Sequence, residues 1–329
     1  MAGPAARYAD LLARSRGVEP GRAAELAREA FHPGLRWQGP RPIEAHEGFR
    51  GWQDGFWRPF STALPDVERR DDLVLAGPFR GGDWVASCGH YVGTFARDWL
   101  GIPATGGAVN VRYGEFCRVD ESGLVAEAYV LLDLPDVMLQ AGAWPFPPSP
   151  GAEARWPAPA TQDGLAVGAR DEADRQASLD LVEAMIAGLG SYDGASLESM
   201  GQERFWHPRM MWYGPAGIGT TRALKGFQDF HQRPFLHAFP DRKGGNHTAR
   251  LAEGPYVAST GWPSLAATNA GDYLGVPATG RRIGMRVMDF WRREGALLAE
   301  NWVFIDLPDL LHQLGVDVFA GLHERRSQT

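Results

Sequence analysis

The stretch Phe31-His32-Pro33-Gly34-Leu35-Arg36-Trp37-Gln38-Gly39-Pro40 returns 175 residues later as Trp206-His207-Pro208-Arg209-Met210-Met211-Trp212-Tyr213-Gly214-Pro215. The correspondence then runs on in order. Gly51-Trp52-Gln53-Asp54 matches Gly226-Phe227-Gln228-Asp229, and Arg58-Pro59-Phe60 matches Arg233-Pro234-Phe235. Gly101-Ile102-Pro103-Ala104-Thr105-Gly106 matches Gly275-Val276-Pro277-Ala278-Thr279-Gly280, and Leu132-Asp133-Leu134-Pro135-Asp136 matches Ile305-Asp306-Leu307-Pro308-Asp309. A solenoid unit spans only about 20–50 residues, so a period this long marks a duplicated domain. The copies set the expected bounds: a first domain over 1–142, a second over 169–329, and a Pro/Ala-rich linker over 143–168 that favours extended, semi-rigid chain.

The full chain of 329 residues suits two domains of ~150 each. With 44% hydrophobic and 22% charged residues it has the composition of a globular protein, and wholesale disorder is excluded. A net charge of −7 provides no positive field for phosphate backbones, so nucleic acid is not an expected partner. No run of about 18 apolar residues occurs, so no membrane-spanning helix is expected. The first thirty residues lack the apolar core of a secretory signal, which points to the cytoplasm. Cys88 and Cys117 are too few for a disulfide framework and read as small buried residues.

Each copy has the same order of patterns. Leu179 to Leu189 carries apolar residues at helical spacing, Ala6 to Ala30 does so more weakly, and short helices are expected at Gly48–Trp57 and Ala223–Gln232. Apolar, β-branched stretches ended by Gly or Pro follow: Trp84–Phe95, Val109–Val119 and Leu124–Leu132, then Tyr256–Leu265, Ile283–Arg292 and Ala296–Ile305. Asp120–Gly123 and Arg293–Gly295 read as hairpin turns. Helices followed by a strand meander give an α+β class.

The last strand is apolar on both faces. Period two sets Glu300, Trp302, Phe304 and Asp306 on one side and Asn301, Val303 and Ile305 on the other. A half-buried strand has one polar face. Helices and a pocket are therefore expected over one side and the other copy's sheet over the other, so the halves pair as a pseudo-dimer within one chain, and no further oligomer is required.

The helical start, His-Pro followed by Trp-x-Gly-Pro, the Gly-Ile/Val-Pro-Ala-Thr-Gly stretch and the final Glu-Asn-Trp-x-x-x-Asp strand resemble SnoaL-like polyketide cyclases of the nuclear transport factor 2-like superfamily. The resemblance covers both copies. It implies two tandem cone-shaped domains, each a curved antiparallel sheet wrapped by helices around a hydrophobic pocket. That scaffold hosts isomerases, dehydratases, cyclases and plain binding modules alike. In the cyclases an aspartate near the end of the last long strand is the acid/base of an intramolecular aldol closure, without metal or cofactor. By position that role falls on Asp306, and on Asp133 in the first copy.

An apolar enclosure suits such chemistry, because it raises a carboxyl pKa from about 3.9 toward neutrality. Against this, Asp306 before Leu307-Pro308 also reads as a plain helix cap, and the resemblance tips the choice to catalysis. Asp289 and its counterpart Glu115 stand on the neighbouring strand in an aromatic setting. Each reads as a second acid/base or as an ion-pair partner of Arg233 or Arg58. No histidine stands near Asp306 in the strand pattern, and His247 and His231 are the available substitutes, though ordinary core or surface roles compete. Twelve tryptophans, sixteen phenylalanines and eight tyrosines supply flat surfaces. Trp37, Trp57, Trp212, Tyr213, Phe227 and Trp302 are expected to line the pockets with Arg58 and Arg233, or to be simple core.

No metal-ligand spacing, hydrolase elbow, phosphate loop or dinucleotide fingerprint occurs, and no metal or cofactor is expected. The expected function is cofactor-independent proton transfer on a hydrophobic, carbonyl-bearing small molecule, of cyclase or isomerase type. Two alternatives share the pocket: sequestration of an apolar ligand, and dehydration or epoxide opening by Asp289 and Asp306. The second copy is favoured, since it has Asn301 and Trp302 where the first has Ala128 and Tyr129.

Overall fold

A computed structural model describes residues 3–167 and 171–322. The outermost ends of the expected domains, the last linker position and His323 lie outside the described residues.

The first half opens with helices α1 (Pro4–Ser15) and α2 (Pro20–Ala30), each with proline in its first turn, where the missing N–H costs nothing. Pro20 splits the single helix expected over Ala6–Ala30, and Glu19 caps the second piece by accepting from the Gly21 and Arg22 amides. Then come β1 (Phe31–Gln38), β2 (Ala45–Glu47), α3 (Gly48–Trp52), α4 (Arg58–Ala63), β3 (Glu68–Phe79), β4 (Gly82–Thr94), β5 (Ala108–Val119), β6 (Val125–Leu132) and α5 (Leu134–Gln140). The second half repeats this with α6 (Glu172–Leu189), β7 (Trp206–Tyr213), β8 (Thr220–Arg222), α7 (Ala223–Phe227), α8 (Arg233–Ala238), β9 (Ala249–Glu253), β10 (Tyr256–Thr268), β11 (Arg282–Glu294), β12 (Leu297–Ile305) and α9 (Leu307–Gln313). A π-helical turn joins α3 to α4 over Gln53–Trp57 and α7 to α8 over Gln228–Gln232, so even this irregularity is duplicated.

The two six-stranded sheets have one topology, β2-β1-β6-β5-β4-β3 and β8-β7-β12-β11-β10-β9. Each is mixed rather than purely antiparallel, as the sequence had suggested: β1 runs parallel to β6 and β7 parallel to β12. The cause is the return of the chain through helices between those strands.

Alternation along β12 sorts its two faces. Trp302 and Phe304 enter an inter-sheet core with Phe116, Phe290, Leu73, Leu251 and Met288, whereas Val303 and Ile305 join the core beneath the helices. The expected pseudo-dimer packing is thus observed, with Phe116 and Phe290, matched residues of the two copies, meeting at 5.4 Å between ring centroids near its centre. Close approach there depends on Gly114, where a Cβ would lie 3.0 Å from the Phe304 ring.

The segment between the domains is irregular and docked. Trp156 is buried in the inter-sheet core and donates to the Gly214 carbonyl (2.7 Å), the Val74 amide donates to Gly164 O (2.9 Å), and Ala152 exchanges backbone bonds with Thr220 (2.8 Å each). Both cysteines are buried and unpaired, and no helix of the described residues is long and apolar enough to cross a membrane.

Candidate active site

The helices and sheet of the second domain enclose a cavity of about 760 Å³. The matching space in the first domain is about 70 Å³. Side-chain volume explains the contrast. Tyr113 of β5 occupies the register position that Val287 holds in β11, and Trp57 of the first π turn matches Gln232 of the second. Arg69 stands five residues before Val74 as Gly245 stands five before Arg250, and Val74 and Arg250 pair with the matched serines Ser87 and Ser259.

In the first domain Arg69 is the hub that closes the space. Its Nε lies 2.7 Å from Asp71, its Nη atoms 3.2 Å from Glu115, and its guanidinium 4.5 Å over the Tyr113 ring. Arg16 and the Tyr113 hydroxyl complete the shell of Asp71. Burial pushes the Asp71 carboxyl up, but Arg69 and these donors outweigh it and hold the pKa below the usual range.

The open cavity of the second domain is built differently. Asp289 of β11 lines it beside Asn301 of β12, whose Nδ2 donates to Asp289 Oδ1 (3.2 Å) and to the Phe290 carbonyl (3.1 Å). Burial pushes the Asp289 pKa up to about 7, against smaller lowering influences from Asn301 and Arg250. A carboxyl in that range is half ionised near neutral pH and can both take and return a proton.

His247 lines the same cavity. Arg250 Nη2 donates to its Nε2 (2.5 Å), so the proton sits on Nδ1, which faces Ser259 Oγ (3.2 Å). Burial, then Arg250 and Arg80, lower its pKa to about 4, which keeps it neutral at pH 7. Arg250 is in turn held by Glu183 (3.3 Å).

His231 comes from the π turn. Its ring is stacked 4.4 Å from Trp212 and 5.5 Å from Phe235, and burial lowers its pKa to about 3. Two residues that line the cavity, His231 and Trp291, each carry a buried ring nitrogen, Nδ1 and Nε1, with no hydrogen-bond partner among the described residues. In a cavity otherwise walled by groups such as Met285, Val287, Val303 and Ile305, these are the atoms that a ligand oxygen would satisfy.

The structure therefore brings together Asp289, His247, His231, Trp212 and Phe227 in the larger cavity, and Glu115, Trp37 and Trp57 around the smaller one. It corrects the rest. Asp306 faces neither cavity: it caps α9 by accepting from the Asp309 amide (3.2 Å), crosses to the other domain to accept from the Arg41 amide (3.2 Å), and pairs with Arg286 (3.1 Å). Asp133 mirrors it, accepting from Asp136 N (3.4 Å) and from Ala216 N (3.1 Å) across the interface. The physical reason is the strand period, which puts both aspartates on the face turned to the other sheet. Asp289 and Asp306 accordingly form no acid pair.

Trp302 belongs to the same interface and donates to Pro157 O (2.9 Å), and Tyr213 donates from its hydroxyl to Glu300 (3.0 Å). Arg58 and Arg233 are exposed and pair with Asp54 and Asp229 one helical turn away, not with Glu115 or Asp289. Sequence reasoning missed Ser259, Asn301 and Trp291 as cavity residues, and Arg250 as the partner of His247. Asn301 and Trp291 could have been found from the alternation that places them with Val303 and Asp289.

Among the described residues no group of three His, Cys, Asp or Glu side chains is placed to hold a metal ion. The sequence profile of SnoaL-like polyketide cyclases matches residues 196–314, a span that supplies most of the residues lining this cavity. Among solved structures, TsrD from Streptomyces laurentii is 26% identical over 44% of this chain and 97% of its own, with a TM-score of 0.34. AclR from Streptomyces galilaeus is 24% identical over 43% and 97%, at 0.35. A SnoaL-like polyketide cyclase from Agrobacterium tumefaciens is 18% identical over 42% and 98%, at 0.32. No curated protein matches the chain. The match to the SnoaL-like polyketide cyclase model is thus confined to residues 196–314, and the first half of the chain repeats the same α+β fold.

Proposed function

We propose that the second domain is a cofactor-independent acid/base enzyme of polyketide cyclase or isomerase type, acting on a hydrophobic small molecule that carries a carbonyl group. The observation that carries this reading is the Asp289 carboxyl, held near neutral pKa in a cavity of about 760 Å³. Asp289 takes the proton from the carbon next to the carbonyl, and Asn301 fixes its rotamer. The negative charge that develops on the carbonyl oxygen needs donors, and Trp291 Nε1 is buried and free to provide one. His247, neutral with its proton on Nδ1, holds Ser259 at the cavity wall, and Trp212 and Phe227 offer flat walls to a cyclic ligand.

The test is solvent-deuterium incorporation next to the carbonyl in a panel of polycyclic ketones, read by mass spectrometry. The protein is expected to accelerate exchange in at least one, and Asp289→Asn to lower that rate by about 10²–10⁴-fold. Tight binding of such ketones with no exchange would instead favour sequestration.

A further inference from the structure

A second cavity, of about 220 Å³, lies beneath the linker. Trp144, Phe146 and Pro147 roof it, and Ile218, Tyr273 and Leu274 of the second domain form its floor. Over the first domain, the matching place beside Gly101 is taken by Phe319 and Leu322 near the end of the chain, so a covering segment is itself a duplicated device.

The walls are mainly hydrocarbon, yet Trp144 Nε1 and Tyr273 Oη are both buried with no hydrogen-bond partner among the described residues. Tyr273 is only 4% exposed. Burial raises its hydroxyl pKa well above the usual value, so it is a neutral phenol able to donate or accept. His231, with its unpartnered Nδ1, lines this cavity as well as the main one.

We propose that this cavity is a binding site for a single ring bearing a hydroxyl or carbonyl oxygen. The ring packs against Phe146, Pro147 and Leu274, while the oxygen accepts from the Trp144 indole and pairs with the Tyr273 hydroxyl. The site is independent of the acid/base reading of Asp289 and stands or falls separately.

The experiment titrates the full chain with 4-fluorophenol and with its oxygen-free analogue 4-fluorotoluene, followed by fluorine NMR and by the indole resonances of the nitrogen-labelled protein. The wild type is expected to bind 4-fluorophenol about fivefold more tightly than 4-fluorotoluene, and Trp144→Phe or Tyr273→Phe to remove that preference. The Trp144 indole resonance, assigned by its loss in Trp144→Phe, should move on titration. Asp289→Asn, in the main cavity, should leave the affinity unchanged. Equal binding of the two probes, an unmoved Trp144 resonance, or an Asp289→Asn variant that loses 4-fluorophenol would each overturn the proposal.

Discussion

Asp289, half-buried at the cavity wall, and Asp306, fully buried, both have pKa values raised to about 7, yet their surroundings give them different work. The shift alone does not distinguish them, because burial acts on any enclosed carboxyl. Geometry does: Asp289 opens onto a cavity, and Asp306 is filled on every side by Arg41, Arg286 and the Asp309 amide. Asp306→Asn keeps an oxygen for the cap and is expected to leave deuterium exchange unchanged, whereas Asp306→Ala should cost at least ~1 kcal/mol in chemical denaturation. For the base itself, exchange should rise with pH to a half-point near 7 as Asp289 ionises. Asn301→Ala removes a donor that favours the carboxylate, so the half-point should move to higher pH, measured as the rate profile between pH 5 and 9.

At the scale of the elements, the same strand, in two copies, separates an open site from a filled one. Val287→Tyr transfers the Tyr113 side chain to the matching position of β11, where the space is empty rather than packed. It is expected to abolish exchange while leaving the denaturation midpoint near that of the wild type. Conversely, Arg69→Ala should destabilise the first domain by about 3–5 kcal/mol, since it leaves the Glu115 carboxylate buried without its cation and Asp71 with Arg16 alone. Both effects rest on register, and register explains what could be read in advance. The later strands of each half, β4 to β6 and β10 to β12, were legible because apolar β-branched residues alternate between Gly and Pro. Strand β3 was not, because it begins Glu68-Arg69-Arg70-Asp71-Asp72, and those charges read as loop until a buried network gives them partners. For β12 the two-faced pattern was visible, but which face met the cavity was not. That depends on the three-dimensional closure of the two sheets, so Asp306 and Trp302 were assigned to the pocket, Asn301 counted only in favour of the second copy, and Trp291 was overlooked.

Across the whole molecule, the buried carboxyls make stability depend on pH with a definite sign. Asp289 and Asp306 titrate near 7 in the folded chain against about 3.9 unfolded. Burial also raises the neighbouring Asp133 and Asp136, and proximity to Asp133 raises Asp136 further. A raised carboxyl keeps its proton in the folded state while the unfolded chain has lost it, so stability falls as pH rises from about 4 through the folded pKa. The histidines act oppositely. His231 and His247 stay neutral when folded down to about 3 and about 4, so their contribution is lost only as pH falls below about 6.5. Between pH 4 and 6.5 the two effects offset each other; above 6.5 the histidines are neutral in both states and the carboxyls act alone. Buried Cys88 and Cys117, raised by desolvation, add in the same direction once the unfolded thiols begin to ionise. The denaturation midpoint is therefore expected to fall steadily between pH 6.5 and 8.5. Asp306→Asn, which stays neutral and capped, should reduce the slope, and Asp289→Asn should reduce it independently, the two residues lying on opposite faces of the sheet. A midpoint that rises with pH over this window, or slopes unchanged in both variants, would show that these carboxyls are already ionised at pH 6.5 and that Asp289 is too weak a base for the proton transfer assigned to it.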